Sequence, residues 1–380
     1  MLYRSCFSAI VAIGVLMGTV SPLLRSEELR VFISAFAAGN EGAIHAFQLD
    51  LESGKLRPTN RTADIEHPFF LAVSPNNKFL YSIHAPGKFG GTQDEQVTAF
   101  EIIDKEGRLR LLNRRTSRGT ASCYLDVDQA GKSLVVANYL NGSLASFAIQ
   151  PDGSLSEPVT FVQHVGSSVN EDRQSSPHAH CSVISPDGRF VLAADLGLDQ
   201  ILCYQLAASN SSLTPNQQAF VRTLPGAGPR HLTFHPHGKF TYVINELANS
   251  VTAFDFHRDT GFLTERSTIS TLPSDFTGKS YCADLKITPD GRFLYGTNRG
   301  HDSLAAYRIA QDGSLTLIGI EPSLGKGPQN LAITPNGQLL LCANMPGNNV
   351  VVFRIDPNSG KLTRTGELIS LPSPSCIMIR

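Results

Sequence analysis

Tryptophan is absent from this 380-residue sequence, which excludes WD40 repeats, because their blades carry a Trp-Asp signature. No C-x-x-C pair is present, so a zinc ribbon or a thioredoxin-like redox motif is excluded. No G-x-S-x-G segment occurs, so the nucleophile elbow of the α/β-hydrolases has no counterpart. The formal net charge is only −1, which argues against nucleic-acid partners and anionic membrane surfaces, since both call for a basic patch.

Hydrophobic residues make up 41% of the chain, enough for a substantial core, and no change in composition marks a linker. We therefore expect one large domain, and we expect the protein to be a monomer. The cysteines beyond Cys6 are widely scattered and lie mostly within apolar strand patterns. We interpret them as small buried hydrophobic residues.

The N-terminus differs from the rest of the chain. Arg4 precedes an apolar stretch of roughly 15 residues that ends at Val20, and polar residues follow. This is the layout of a secretory signal, and the stretch is short for a membrane span of about 20 residues. We predict that residues 1–25 form a removable signal and that the protein is periplasmic or secreted. An uncleaved anchor is the alternative, and a cytoplasmic location follows if the segment is not a functional signal.

An internal repeat gives the strongest signal for the fold. Six segments share a pattern of apolar strand, tight turn, second strand, second turn and third strand. They begin at Phe69, Cys123, His180, Arg230, Cys282 and Gln329. Turns such as Pro186-Asp187-Gly188 supply Gly where a positive φ is needed. The period of about fifty residues is typical of a four-stranded propeller blade.

The two ends of the chain complete the count of blades. Val31–Phe36 and Ile44–Leu49 have the pattern of second and third strands with no first strand before them, and Pro374–Ile379 has the pattern of a lone first strand. Joining them makes a seventh blade and removes exposed sheet edges. We therefore predict an all-β fold, a single seven-bladed β-propeller over residues 26–380, closed by N- and C-terminal strands in one blade.

Titratable residues that differ between the repeats gather at one rim of this predicted propeller. In a hairpin, the start of strand one and the end of strand two lie at the same end, opposite the Pro-Asp-Gly turns. The group comprises His178, His180, Asp195, Arg230, His231, Glu246, Arg299 and His301. Charges at a concave rim indicate a functional site. The alternative is a structural ion network, above all for Arg230 with Glu246.

Two further patterns at this rim bear on structure and on metal binding. The residue just before the end of strand two is Asn in most repeats, which indicates a turn-capping role, and a carboxylate, Asp195, takes its place in the third repeat. His178 and His180 are two residues apart and would face the same side of a strand, as half of a zinc site would require. No third ligand motif accompanies them, and we predict no metal.

The chemistry of the group suits an anionic substrate. Arg230 and Arg299 offer planar forks for phosphate or carboxylate groups. Glu246 or His180 could act as the general base, and a remaining cation could stabilise oxyanion charge. Ester or lactone hydrolysis fits this set, and so does a lactonising reaction in which an acid protonates carbon.

The segments GAGPRHLTFHPHGKFTYVINELANSV, CADLKITPDGRFLYGTNRGHDS and SPHAHCSVISPDGRF resemble the propeller-type 6-phosphogluconolactonase family, also called the lactonase family. This family includes the fungal carboxy-cis,cis-muconate cyclases. The resemblance runs over nearly the whole chain after the N-terminal segment, and Gly-Pro-Arg-His followed by Asn-Glu-Leu is its most specific part. One departure is Gln329, where related sequences often carry Arg after Gly-Pro.

The resemblance implies a seven-bladed propeller, a small anionic lactone as substrate, lactone hydrolysis and no required cofactor. By position, it implies the catalytic residues His180, Arg230, Glu246 and Arg299. We expect the substrate to contact the other members of the rim group, His178, Asp195, His231 and His301. The alternatives are a muconate-type lactonising cyclase and a non-catalytic exported propeller that binds a partner at its rim.

Overall fold

The computed structural model describes residues 28–63, 65–91 and 93–380, and they form seven four-stranded antiparallel sheets. From the innermost strand outwards, blade 1 consists of β28 (Pro374–Ile379), β1 (Glu28–Ala35), β2 (Ala43–Asp50) and β3 (Leu56–Thr62). Blade 2 consists of β4 (Phe70–Val73), β5 (Phe79–His84), β6 (Gln96–Ile102) and β7 (Leu109–Thr116). Blade 3 consists of β8 (Ser122–Val127), β9 (Ser133–Asn138), β10 (Ser143–Ala148) and β11 (Thr160–Gln163).

The remaining blades follow the same order. Blade 4 consists of β12 (Ala179–Ile184), β13 (Phe190–Asp195), β14 (Gln200–Leu206) and β15 (Leu213–Arg222). Blade 5 consists of β16 (Pro229–Phe234), β17 (Phe240–Asn245), β18 (Ser250–His257) and β19 (Phe262–Ser270). Blade 6 consists of β20 (Tyr281–Ile287), β21 (Phe293–Arg299), β22 (Ser303–Ile309) and β23 (Leu315–Pro322). Blade 7 consists of β24 (Pro328–Ile333), β25 (Leu339–Asn344), β26 (Asn349–Ile355) and β27 (Leu362–Ser370).

The seven innermost strands contact one another in a closed ring, β28–β4–β8–β12–β16–β20–β24, which returns to β28. The prediction of a seven-bladed propeller is therefore confirmed, and so is its closure by both ends of the chain, since β28 pairs with β1. Within the described residues, the only helical element is the short 3-10 turn Gly39–Glu41. No helix in those residues is long and apolar enough to cross a membrane. The predicted signal, residues 1–25, lies outside the described part of the chain.

Neighbouring blades interlock through a repeated contact between a tyrosine and a glycine turn. Tyr242 of blade 5 donates its hydroxyl to the carbonyl of Gly313 in blade 6 at 2.8 Å. Gly313 has a φ of +83°, and a Cβ there would lie 2.8 Å from the ring of Phe240. The turn therefore needs glycine for its backbone conformation and for its close approach to the aromatic ring. Tyr295 makes the same bond to Gly360 of blade 7 at 2.8 Å.

Asparagine side chains hold the end of strand two in several blades, as the sequence predicts. Asn298 donates to the Thr271 carbonyl at 2.8 Å and to the Ser303 hydroxyl at 3.1 Å. These bonds tie β21 to the start of β22 and to the segment that enters the blade. Asn138 makes equivalent bonds in blade 3. The cysteines of the described residues are all buried free thiols, which confirms their interpretation as small core residues.

A β-bulge interrupts most of the innermost strands at the rim where the predicted site lies. In β12 the register shifts between Ala179 and Cys181, and in β16 it shifts between Pro229 and His231. The residues within these bulges are His180 and Arg230. A bulge adds one residue to a strand and re-aims its side chain, which is why bulges recur beside functional sites.

We predict that the closing strand β28 is part of the cooperative core. Ile377 is 2% exposed, so its replacement by alanine should lower the free energy of unfolding by about 2–5 kcal/mol, because it leaves a cavity between blades. Leu368 on outer strand β27 is 41% exposed, and Leu368→Ala should cost less than about 1 kcal/mol. Urea unfolding measures both values. A loss below about 1 kcal/mol for Ile377→Ala would show that β28 closes the ring without stabilising it.

Candidate functional site

Three arginines surround one buried glutamate at the channel mouth. The Glu246 side chain is 6% exposed and directly follows β17. Its Oε2 accepts hydrogen bonds from Arg230 Nε at 2.9 Å and from Arg299 Nη2 at 2.8 Å. Its Oε1 accepts a hydrogen bond from Arg173 Nη2 at 2.7 Å. We call these four residues the Glu246 cluster.

The arginines keep the Glu246 carboxylate ionised. Burial alone would raise its pKa, but the charges of Arg299 and Arg230 and the hydrogen bond from Arg173 outweigh burial and lower the pKa to about 2. Both carboxylate oxygens already accept hydrogen bonds from guanidinium groups. Glu246 is therefore a weak proton acceptor near neutral pH, and its negative charge holds three cations together.

Arg230 is the most enclosed member of the Glu246 cluster, with a side chain that is 2% exposed. Besides Glu246, its guanidinium donates from Nη1 to the Ala283 carbonyl at 2.5 Å and to His231 Nε2 at 3.1 Å. Burial and the charge of Arg299 lower its pKa to about 10, against the opposing effect of Glu246. Arg230 therefore remains a cation at neutral pH, fixed on several sides.

His180, the bulge residue of blade 4, is buried beside this cluster. Burial lowers its pKa well below the ordinary value, and the charges of Arg230 and His231 add to this effect. The imidazole is thus neutral near pH 7. Its Nδ1 lies 3.5 Å from Cys123 Sγ, and its ring centroid lies 5.1 Å from that of Tyr139.

His178 lies on the other side of the Tyr139 ring. The two rings stack with centroids 4.5 Å apart, and His178 Nδ1 is 3.0 Å from the Tyr139 carbonyl oxygen. His178 and His180, the two histidines considered as half of a zinc site, therefore both contact Tyr139. Among the described residues, no group of three or more His, Cys, Asp or Glu side chains is arranged to hold a metal ion.

A second layer of side chains crosses the channel directly beneath the mouth. The Phe70 and Tyr124 rings lie 4.3 Å apart, and Tyr124 packs edge-on against His231 at 4.9 Å. His231 Nδ1 is 2.8 Å from Asp284 Oδ1, and Asn330 donates to Asp284 Oδ2 at 2.8 Å. We call these five residues the floor. The floor therefore directly supports the Glu246 cluster, since His231 contacts Arg230.

Within the floor, His231 fixes Arg230. Because Arg230 donates to Nε2, the His231 proton resides on Nδ1 and is donated to Asp284. Burial and the charge of Arg230 lower the pKa of His231 to about 4, so it stays neutral. Burial would raise the pKa of Asp284, but the charge of Lys286 and the bond from His231 hold it well below its usual range. The chain Lys286–Asp284–His231–Arg230 thus anchors one face of the guanidinium.

Asp195 occupies the place that asparagine takes in other blades. Its Oδ1 accepts from the His178 amide at 2.7 Å and from the Gly197 amide at 3.0 Å. Its Oδ2 lies 2.6 Å from His164 Nδ1, and both side chains are buried. Substrate contact by Asp195 stays a prediction, and this position favours a structural role that holds His178.

His301 contacts residues outside the Glu246 cluster. Its Nδ1 is 2.7 Å from the Ser303 hydroxyl, and its ring packs edge-on against Phe276 with centroids 4.7 Å apart. The structure therefore brings Arg230, Glu246 and Arg299 into direct contact, with His180 and His231 packed beside them. Asp195 and His301 contact residues outside the Glu246 cluster, and the predicted roles of all eight residues stay predictions.

Sequence reasoning missed Arg173 and Asp284. Arg173 lies in the connection between blades 3 and 4, which has no counterpart in the repeats, so comparing repeats could not weigh it. The position of Asp284 in the floor could have been predicted by comparing the repeats. It precedes its turn proline by five residues, as His231 and Asn330 precede theirs, so the repeats themselves align these floor residues.

The lowered pKa of Glu246 predicts a pH-dependent stability. A carboxyl whose pKa falls from 4.5 in the unfolded chain to about 2 in the fold contributes roughly 3 kcal/mol above pH 4.5. This contribution is lost as the pH falls from 4.5 towards 2. Glu246→Gln should therefore be destabilised near neutral pH, and its deficit against wild type should shrink on acidification.

Urea unfolding at pH 7, 5, 4 and 3 measures this difference. Glu265→Gln, at an exposed position on outer strand β19, is the matched control and should show little deficit at any pH. A Glu246→Gln deficit that does not change between pH 7 and pH 3 would contradict the assignment of a low pKa.

Comparison with known proteins places the chain in a family. The family described as "Lactonase, 7-bladed beta-propeller" matches residues 30–379. The 6-phosphogluconolactonase of Bacillus subtilis is 34% identical over 348 residues, which cover 91% of this chain and 97% of that protein. The 6-phosphogluconolactonase of Formosa agariphila is 34% identical over 345 residues, 88% of this chain and 94% of the relative.

A solved structure agrees with these sequence matches. The periplasmic gluconolactonase of Pseudomonas aeruginosa superimposes with a TM-score of 0.87 at 31% identity, covering 93% of this chain and 99% of the other. Sequence, fold and blade order therefore agree over almost the whole described chain, which confirms the resemblance found in the sequence. This protein belongs to the lactonase family of seven-bladed β-propellers.

Proposed function

We propose that this protein hydrolyses a sugar lactone that carries an anionic group, of the 6-phosphogluconolactone type. The observation that carries the proposal is the Glu246 cluster, in which three guanidinium groups surround one ionised carboxylate. Two positive charges remain in excess at the channel mouth. Such a site attracts an anionic substrate and stabilises negative charge that develops on a carbonyl oxygen.

In this proposal, Arg230 and Arg299 stabilise the oxyanion. Arg230 is held rigidly by Glu246, His231 and the Ala283 carbonyl, so it needs little reorganisation when charge develops. The Arg299 side chain is 27% exposed, and its Nη2 bonds both Glu246 and the Cys282 carbonyl. Glu246 acts as the anchor that keeps these cations together. His231 is a positioning residue for Arg230.

We assign the general base to His180 rather than to Glu246. His180 is neutral at pH 7 and its ring contacts the Cys123 thiol, whereas both Glu246 oxygens already accept hydrogen bonds from arginines. A water oxygen attacks the lactone carbonyl carbon while His180 takes the water proton. The tetrahedral intermediate then collapses, the bond from carbonyl carbon to ring oxygen breaks, and His180 returns the proton to the departing hydroxyl.

The same residues serve a lactonising cyclase less well. Such a reaction needs an acid that protonates carbon, and the lowered pKa values of Glu246 and His180 leave both unprotonated near neutral pH. Hydrolysis needs the opposite condition, a free acceptor for the water proton. The protonation states at the mouth therefore favour hydrolysis over cyclisation.

The test is hydrolysis of 6-phosphoglucono-δ-lactone and glucono-δ-lactone, with the uncatalysed opening subtracted. We expect activity that resists EDTA, because no proposed step uses a metal. His180→Asn should lower kcat by about 10²–10⁴-fold through loss of the base. Glu246→Gln should also lower activity, because the arginines lose their anchor.

His257→Asn, an exposed histidine on β18, is the control and should retain full activity. A His180→Asn variant with wild-type kcat would reject His180 as the base. Absence of wild-type activity above background on both lactones would reject the proposed function. It would favour the alternatives, a lactonising cyclase or a non-catalytic propeller that binds a partner.

We also propose that the protein is exported after removal of residues 1–25. The apolar N-terminal stretch motivates this proposal, and the gluconolactonase of Pseudomonas aeruginosa, a relative at 31% identity, is periplasmic. Expression of the full chain with subcellular fractionation and intact-mass measurement tests it. We expect a product that lacks roughly 25 residues outside the cytoplasm. A full-length product confined to the cytoplasm would contradict export.

A further inference from the structure

Arg173 belongs to the Glu246 cluster but comes from outside the propeller repeat. It lies in the segment between β11 and β12, residues 164–178, the longest connection between blades in the described chain. Neighbouring connections are shorter, such as residues 223–228 between blades 4 and 5. The cluster is therefore completed by an insertion that the fold itself does not require.

The insertion is tied down, so the position of Arg173 is fixed before any ligand arrives. The neighbouring Gln174 is fully buried and donates to the Leu196 carbonyl at 2.8 Å and to Asp199 Oδ1 at 2.7 Å. Asp199 also accepts from the Gly228 amide at 2.7 Å, just before β16. The Arg173 backbone is thus linked through Asp199 to the strand that carries Arg230.

The Arg173 side chain reaches across the mouth. Its Nη2 bonds Glu246 Oε1 at 2.7 Å and lies 3.3 Å from the Tyr139 hydroxyl of blade 3. Its guanidinium carbon lies 5.7 Å from the ring centroid of Tyr281 in blade 6. One planar cation therefore bridges side chains from blades 3, 5 and 6.

Arg173 also differs from the other two arginines in its free hydrogen-bonding capacity. Its side chain is 32% exposed, against 2% for Arg230. Within the described residues, only Nη2 of Arg173 has a hydrogen-bond partner, whereas Nε, Nη1 and Nη2 of Arg299 all have acceptors in the chain. The remaining N–H groups of Arg173 are therefore available to a ligand at the mouth.

We propose that Arg173 is a substrate-binding residue that selects lactones carrying a phosphate or carboxylate group over uncharged sugar lactones. This inference rests on the proposed lactone hydrolysis and assigns its charge selectivity to one residue. The unpartnered Nη1 group of Arg173 can donate a charge-assisted hydrogen bond to such an anion, and a sugar hydroxyl offers no matching charge. Glu246 holds the guanidinium in place through its bond to Nη2.

The test compares kcat/KM for 6-phosphoglucono-δ-lactone and for glucono-δ-lactone. Arg173→Met keeps an unbranched apolar stem and removes the charge, and it should lower the ratio of the two values about 10- to 100-fold. Arg173→Lys should restore part of the ratio, because it restores the charge without the fork. Arg222→Met, which removes an exposed arginine from outer strand β15 of blade 4, should leave the ratio unchanged.

Two results would overturn the inference. An unchanged ratio in Arg173→Met, with both lactones affected equally, would show that Arg173 only positions Glu246. A ratio that falls equally in Arg222→Met would show that selectivity follows the overall charge of the rim.

If the wild type hydrolyses neither lactone, binding of 6-phosphogluconate and gluconate by calorimetry separates the two proposals. A wild-type preference for the phosphorylated acid that Arg173→Met removes would support the role of Arg173 while the proposed reaction fails. Equal affinities of wild type and Arg173→Met for both acids would overturn the role of Arg173 as well.

Discussion

The buried carboxylate of Glu246 is the interaction on which the rest of the site depends. Three guanidinium groups that all lie within hydrogen-bond distance of one side chain would repel one another, and the anion between them offsets this repulsion. Both carboxylate oxygens of Glu246 accept hydrogen bonds from these arginines. Its role follows from its neighbours: a glutamate so engaged holds cations in place and is poorly suited to carry protons.

The propeller supplies this cluster with parts from several blades. Bulges in β12 and β16 turn His180 and Arg230 towards the mouth, and Arg299 follows from the end of β21. The floor beneath closes the channel with aromatic rings and with the His231–Asp284 pair. The repeat thus provides a rigid frame, and the few positions at which the blades differ carry the chemistry.

The fold could be predicted from the sequence almost completely, because its signals are local and repeat six times. Alternating apolar strands, Pro-Asp-Gly turns and the unpaired strand patterns at both ends specify seven blades and their closure. The pairing of Arg230 with Glu246 was also within reach, since both lie in one hairpin and the register of β16 with β17 brings them to one end. The asparagine caps followed from the same comparison of repeats.

The rest of the site could not be predicted from the sequence, because it depends on contacts that do not recur from blade to blade. Arg173 enters through an insertion, so neither period nor register places it near Glu246. Asp195 has the charge of a catalytic residue, yet the structure directs it to backbone amides and to His164, a partner 31 residues away in the sequence. Charge alone marks a candidate, whereas its hydrogen-bond partners decide what it can do.

The central claim is that Glu246 remains ionised inside the arginine cluster, and infrared difference spectroscopy tests it most directly. Spectra of 13C-glutamate-labelled wild type minus Glu246→Gln isolate this carboxyl group between pH 7 and pH 3. The account predicts the bands of an ionised carboxylate throughout this range, consistent with a pKa of about 2. A protonated carboxyl band that grows in near pH 5 would contradict it, because the arginines would then not be held by a charge.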